Sequence, residues 1–371
     1  MFKKYNTSKT IIIFAPFIEK GGIEKNLFLF TNFLVKKVDN IVLITWKKED
    51  KKYFNKKIKI VNPSLFYQKI KNRNFKNIIS LMILIKLILN FRNCLIFSFQ
   101  SNLSVTLVAK IFNQRNIVRI ASYGWMLNYF KKAIFYFILK LPTQIIVNSE
   151  EMKRILKVKF GIDSICIYNP LNKSQIDKLK ITENKFYKQN KKILKILFLG
   201  RLVHVKDPLT LLKSITKLDK KINYQLIMVG NGSMKEKILN FIDEHNLKQS
   251  VKVISNIQNP MQYLNQCDLL ILTSKYEGLP NVLIEAQYLK KYIISTNCKT
   301  GPKEILLNGK LGTLVNVGDY LNLKKKIEYF YYNKKSKEVK NKLSKGFKYI
   351  TRFDFDNNCK KLQKVVNQYL K

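Results

Sequence analysis

Two carboxylates frame one short loop of this chain. Glu277 lies within Ser274-Lys275-Tyr276-Glu277-Gly278-Leu279-Pro280, and Glu285 lies just beyond, where Val282, Leu283, Ala286 and Leu289 recur at helical spacing. A rise of ~1.5 Å per residue sets the two acids at different depths along that helix. Between them, around Gly278, Leu279, Pro280 and Asn281, a helix start offers unpaired N–H groups and the positive end of its dipole, which suits an anion. The arrangement fits an elongated, partly anionic ligand carrying hydroxyls, with one acid for the hydroxyls at each end. A surface loop Glu followed by a solvated helix Glu would look the same in sequence, since exposed Glu is the norm.

Arg201 and Lys206 form a second group. Gly200-Arg201-Leu202 ends an apolar run over 193–199, and Lys206 precedes a helix opened by Pro208. Arg presents a planar fork to phosphate and Lys a compact point charge, so both placed just past a strand suit a diphosphate. Lys positions mean little in so Lys-rich a chain, but Arg is scarce. His204, between the two, reads as a bystander. Gly21-Gly22 is a third candidate. It stands between a buried-type strand over 11–17 and a helix beginning near Glu24, a geometry that lets phosphate or sugar approach backbone N–H groups. A plain turn uses the same pair.

These residues need rigid elements behind them. The run Cys267 to Thr273 predicts a buried parallel strand. Pro280 suits the first position of the following helix, which extends to about Lys290, and Tyr292 to Ser295 begins another strand. The loop therefore lies beyond the carboxyl end of a strand, where open α/β sheets bind ligands. Strand and helix alternate through both halves, which predicts an α/β class. The length suits two domains. We place them at 1–171 and 193–350, joined by a Lys- and Asn-rich linker over 172–192. The last segment, 351–371, carries Cys359, Leu362, Val365, Val366 and Leu370 on one face, and that stripe needs a partner.

Glu277-Gly278-Leu279-Pro280-Asn281-Val282-Leu283-Ile284-Glu285-Ala286 resembles the E-x7-E signature of the family 4 retaining glycosyltransferases. Gly200-Arg201-Leu202 with Lys206 is similar to the family's G-R-L-x3-K segment. Val229-Gly230-Asn231-Gly232 is similar to its V-G-x-G turn. Thr300-Gly301-Pro302-Lys303-Glu304-Ile305-Leu306 resembles the G-P-x-E-I-L of members that extend polysaccharides. All fall in the family's order and spacing.

The resemblance implies the GT-B fold: two Rossmann-like, doubly wound parallel-sheet domains facing a cleft, with the final helix crossing back to the first. It implies a metal-independent hexosyl transfer with no cofactor, in which a nucleotide sugar, a UDP-sugar, is the donor substrate. Glu277 would hold the donor sugar's hydroxyls and Glu285 the ribose. Arg201 and Lys206 would neutralise the departing diphosphate, and Gly21 and Gly22 would face the cleft. The implied acceptor is a saccharide on a polyprenyl diphosphate or other bacterial glycolipid. Many members carry a His just after the strand that here ends near Ala121; this chain has Ser122, Tyr123 and Gly124 there.

The net charge of +45 is extreme, and nearly all of it is Lys scattered among Asn, Ile, Phe and Tyr. We read most of it as a compositional bias toward AT-rich codons. Such a surface is still drawn to anionic partners. An anionic inner membrane surface fits best, at the cytoplasmic face. Tyr123 to Leu141 mixes Trp125, Tyr129, Phe130, Phe135, Tyr136 and Phe137 with Lys131, Lys132 and Lys140, as an interfacial helix does. A core helix with Lys on its outer side is the other reading. Phe75 to Phe91 is strongly apolar but shorter than the ~20 residues a span needs, which favours a buried or membrane-lying helix. The five Cys form no C-x-x-C pair and read as buried thiols in a reducing compartment. With two His they build no metal cluster. No secretory leader is expected at the N-terminus. The alternatives are a non-catalytic membrane-associated scaffold of the same fold and a basic nucleic-acid binder. Diffuse charge without an Arg-rich patch argues against nucleic acid.

Overall fold

The computed structural model describes residues 9–370 apart from 20, 92, 123–134, 182–185 and 188–191. The chain divides into two compact units, Met1–Pro170 with Phe355–Lys371, and Leu171–Asp354.

In the first unit, β1 (Thr10–Phe14), β2 (Asn40–Ile44), β3 (Lys59–Val61), β4 (Cys94–Ser98), β5 (Arg115–Ile120), β6 (Gln144–Val147) and β7 (Ile165–Cys166) pair in parallel in the order β3-β2-β1-β4-β5-β6-β7. β-Branched and aromatic residues fill these strands, and β1 and β4 are buried along their whole length, as a sheet covered on both faces requires. Side chains alternate across β1. Ile11 and Ile13 pack with Leu27, Phe30 and Leu34 of the helix Gly22–Leu34, while Ile12 and Phe14 face Leu84, Leu87 and Ile88 of the helix Arg73–Asn90.

The chain returns to this unit at its end. The helix Phe355–Tyr369 packs on Gly22–Leu34, and its Cys359, Leu362, Val365 and Val366 complete the first core cluster, giving the expected apolar stripe its partner.

The second unit holds β8 (Leu194–Leu199), β9 (Tyr224–Val229), β10 (Val251–Ile254), β11 (Leu269–Leu272), β12 (Tyr292–Thr296) and β13 (Thr313–Val315), all parallel, in the order β10-β9-β8-β11-β12-β13. The order reverses between β8 and β11, and at such a switch point the loops after the two strands diverge to opposite faces and leave a crevice. β1 and β4 form the corresponding point in the first unit.

Of the stretch read as a linker, 182–185 and 188–191 lie outside the described residues, and the remainder is anchored to the second unit. Asn172 caps a helix, Lys173–Leu179, whose Asp177 accepts from the Tyr288 hydroxyl at 2.6 Å. Tyr187 is buried and donates to the Ile196 carbonyl at 3.2 Å. Lys and Asn hide such anchoring because the contacts are made by isolated residues, without periodicity.

The strand expected from Cys267 begins at Leu269, because the Cys267 N–H still closes the preceding helix on Tyr263 O at 3.1 Å and the Asp268 carboxylate takes the Lys195 amide at 3.0 Å. The following helix spans Asn281–Tyr288, so Pro280 is its capping residue and not its first. All five Cys are free and buried. Among the described residues no helix is long and apolar enough to cross a membrane. Of the aromatic and basic stretch, 123–134 lies outside the described residues; Phe137 beyond it is exposed and Leu139 buried.

Candidate active site

β8 and β11 each run into a loop at the switch point of the second unit, and hydroxyl side chains tie the two loops together. The first passes through Gly200-Arg201-Leu202 into a single 3-10 turn, His204–Lys206. The second begins at Thr273. The Thr273 hydroxyl reaches the carbonyls of Lys206 at 3.1 Å and Asp207 at 2.8 Å, and the Lys275 N–H donates to Val205 O at 2.8 Å. These bonds set Lys206 opposite Glu277. Lys206 Nζ donates to Glu277 Oε1 in an ion pair whose side chains are 19% and 10% exposed. Ser274 Oγ donates to the same oxygen at 2.6 Å. Both bonds fall on Oε1, so among the described residues Oε2 carries no side-chain bond.

A third loop holds this one from behind. Thr300 Oγ1 donates to the Glu277 carbonyl, and Thr296 Oγ1 donates to the Ser274 carbonyl at 2.6 Å. Gly301 sits at φ +73°, and a Cβ there would stand 2.0 Å from the Gly278 oxygen and 2.8 Å from Pro280 Cδ. Only Gly lets the two turns approach so closely. Gly230 does the same on the other side, where a Cβ would stand 1.9 Å from the Gly200 oxygen. Four motifs far apart in sequence thus meet at the carboxyl end of the sheet.

Gly278, Leu279 and Pro280 are buried and Asn281 is half-buried at the start of its helix. Glu285 is 5% exposed, which removes the reading of a solvated helix Glu. Arg201 is exposed at the end of β8. His204 is exposed, its Nε2 2.9 Å from Lys275 Nζ, in keeping with a bystander. Cys298 adjoins the ion pair: burial pushes its thiol up to about 12, the Glu277 carboxylate adds to the rise and Lys206 opposes it. Gly21 and Gly22 belong to the first unit. The Gly21 N–H is taken by Glu24 Oε2 at 3.0 Å, closing the helix start on itself, so that amide is committed locally. Ser122 is described; Tyr123 and Gly124 are not.

Sequence reasoning missed Thr273, Ser274, Thr296, Thr300 and Cys298. Their one sequence signal is position, as small hydroxyl or thiol side chains where apolar strands end. The arrangement can bind an anion at Lys206 while Glu277 Oε2 accepts from a hydroxyl, and Arg201 lies exposed on the same loop as Lys206. Among the described residues no three His, Cys, Asp or Glu are grouped to hold a metal.

Residues 180–346 match the family described as glycosyl transferases group 1. Over 357 residues the chain is 30% identical to an uncharacterized glycosyltransferase of Methanocaldococcus jannaschii, across 90% of this chain and 77% of the relative. Over 148 residues it is 32% identical to a Campylobacter jejuni α-1,4-N-acetyl-D-galactosaminyltransferase named for a diphospho-undecaprenol-linked glycan, across 39% of this chain and 40% of that one. A glycosyltransferase of Rickettsia africae superposes with a TM-score of 0.79 at 21% identity, covering 99% of this chain and 100% of that one. The Anabaena protein HepE, solved with UDP and glucose, superposes with a TM-score of 0.77 at 14% identity, covering 97% and 100%. At those identities the structural likeness speaks for the GT-B fold alone.

Proposed function

This chain belongs to the glycosyl transferases group 1, and from that premise we propose that it transfers a hexose or N-acetylhexosamine from a UDP-sugar, with retention at the anomeric carbon, to a saccharide acceptor carried on a membrane lipid in bacterial surface polysaccharide or glycan assembly. The observation that carries the reading is the ion pair of Lys206 and Glu277 at the switch point, with Ser274 directed at the same carboxylate oxygen. The acceptor class is supported by relatives whose names specify undecaprenyl-linked glycans and capsular polysaccharide. The UDP donor follows the family resemblance of the Glu277 to Glu285 segment, and HepE, which shares the fold, was solved with UDP and glucose.

Breaking the anomeric C–O bond builds oxocarbenium character on the sugar and negative charge on the diphosphate. Stabilising that leaving group is the largest task for the protein. Lys206 and Arg201 are the cations at hand, and the amides at Gly278 to Asn281 add the positive end of a helix. Glu277 accepts a donor-sugar hydroxyl through Oε2, while its Oε1 stays held by Lys206 and Ser274. A donor phosphate that drew Lys206 toward itself would loosen one of the two bonds on Oε1 and leave Ser274 to keep the carboxylate in place. By family resemblance Glu285 takes the ribose hydroxyls, and its burial agrees with a dry, fixed acceptor. The chemistry needs no bound metal in this reading.

Release of UDP from a panel of UDP-sugars by purified protein tests the reading. We expect release with one or two of them, unchanged by a chelator, and reduced about 100-fold or more by Glu277→Gln or Arg201→Ala. Absence of both release and UDP binding would favour a non-catalytic scaffold.

A further inference from the structure

We propose that the outward face of the helix Arg73–Asn90, with the turn Leu65–Lys69 before it, lays the first unit on an anionic lipid bilayer. The inference rests on the lipid-borne acceptor proposed above for its purpose, and it names the surface that would bring the chain to that acceptor.

A helix that covers a sheet normally turns polar residues to water. This one does not. Ser80, Leu84, Leu87 and Ile88 are buried toward the sheet, and Phe75, Ile78, Met82 and Leu89 are 52–65% exposed on the opposite face. Only Lys86 interrupts that outward row. Further large apolar side chains are exposed on the preceding turn and on a helix in contact with this one. Phe66 is 83% exposed in the preceding turn, and Leu107 and Ile111, one turn apart, are exposed on the neighbouring helix Asn102–Ile111. A row of exposed apolar side chains along one helix face marks an interaction site.

Charge decides the occupant. From Lys51 to Ser149 the chain contains no Asp or Glu, while Lys and Arg recur throughout. Lys69 of the preceding turn, Lys71 just before the helix and Lys110 of the neighbouring helix are exposed. The nearby Glu19 is engaged by Arg73 at 3.1 Å. A second copy seated on the same patch would set lysine against lysine, because a two-fold contact joins identical surfaces. An anionic bilayer meets both demands. Phe, Ile, Met and Leu reach the acyl boundary, and the lysines lie among the headgroups.

The full chain is sedimented with vesicles of phosphatidylglycerol and phosphatidylcholine, and with vesicles of phosphatidylcholine alone. We expect binding to the anionic vesicles that weakens with salt. Ile78→Gln, Met82→Gln and Leu89→Gln combined should weaken it about tenfold or more, with UDP release and the melting temperature unchanged. Separately, Met82→Trp should add fluorescence quenched by brominated lipid, a readout that does not depend on the triple variant folding. Equal vesicle binding by the triple variant, unquenched fluorescence at position 82, or a self-associated chain that the triple variant dissolves would each overturn the proposal. Loss of UDP release without loss of vesicle binding would count against the proposed transfer alone.

Discussion

Ser274 and Lys206 share one oxygen of Glu277, so their deletions are predicted to differ in kind. Ser274→Ala removes a hydroxyl bond to the charged carboxylate and leaves the ion pair. A loss of about 1.5–3 kcal/mol is expected, or roughly tenfold to a hundredfold in kcat with KM little changed. Lys206→Met leaves a carboxylate that is largely buried and lacks its cation, and it should cost more in both terms. Steady-state kinetics on the responsive UDP-sugar separates the two. Glu24 offers a pH test in the first unit. Burial pushes its carboxyl above the ordinary range, outweighing the amides that favour the charge. A raised folded pKa means that its contribution to stability is complete below the unfolded carboxyl range and is lost as pH rises through the folded value. Glu24→Gln should therefore melt with the parent below about pH 4 and above it toward neutrality. Identical melting curves across that window would contradict this. Burial likewise pushes the thiols of Cys94, Cys267 and Cys298 up to about 12. Because thiolate is the reactive form, an aromatic disulfide reagent at pH 8 should find no fast thiol among the buried Cys until the chain is unfolded.

Elements meet at the site through glycines, and their substitution separates contact from conformation. Gly301→Ala drives a Cβ against the Gly278 backbone from a left-handed position, and Gly230→Ala drives one into Gly200. Each is predicted to destabilise the second unit by about 2 kcal/mol or more, since no flexible side chain is there to yield. Gly161 is the control. It is also left-handed, at φ +62°, but no atom lies within 4 Å of its Cβ position. Gly161→Ala should cost only about 1 kcal/mol, the left-handed penalty by itself. Denaturant midpoints for the three variants read the difference. The element boundaries were legible where an apolar run opened cleanly, as at Tyr292, the first residue of β12. They slipped by a residue or two at Cys267, whose N–H still closes the preceding helix, and at Pro280, which caps its helix and does not open it.

On the scale of the whole molecule, the chain builds one unit, then a second, and ends by repairing the first. Leu362, Val365 and Val366 supply fully or nearly fully buried side chains to a core most of whose members lie in the first half of the chain. Cutting the chain after Asp354 should expose that core and leave the first unit aggregated or molten. The fragment Leu171–Asp354 has its own sheet and core. It should give a single cooperative melt by circular dichroism and retain UDP binding by calorimetry. A fragment without a cooperative transition would show that the second unit depends on the first.

The sequence by itself determined the alternation of strand and helix, the two-unit plan and the order of the sugar-transfer motifs, because each is written in local spacing: period-two and helical patterns, glycine turns and carboxylates a fixed number of residues apart. It also singled out Arg201, Lys206, Glu277 and Glu285. Only the tertiary structure decided that Lys206 meets Glu277, that Ser274 and Thr300 hold the loop between them, that Glu285 is buried, and that Phe75, Ile78, Met82 and Leu89 of Arg73–Asn90 are exposed. Those facts depend on which strands lie side by side and which helix face turns inward. Side chains distant in sequence touch only after the β8 and β11 ends are brought together, and no local pattern encodes that distance.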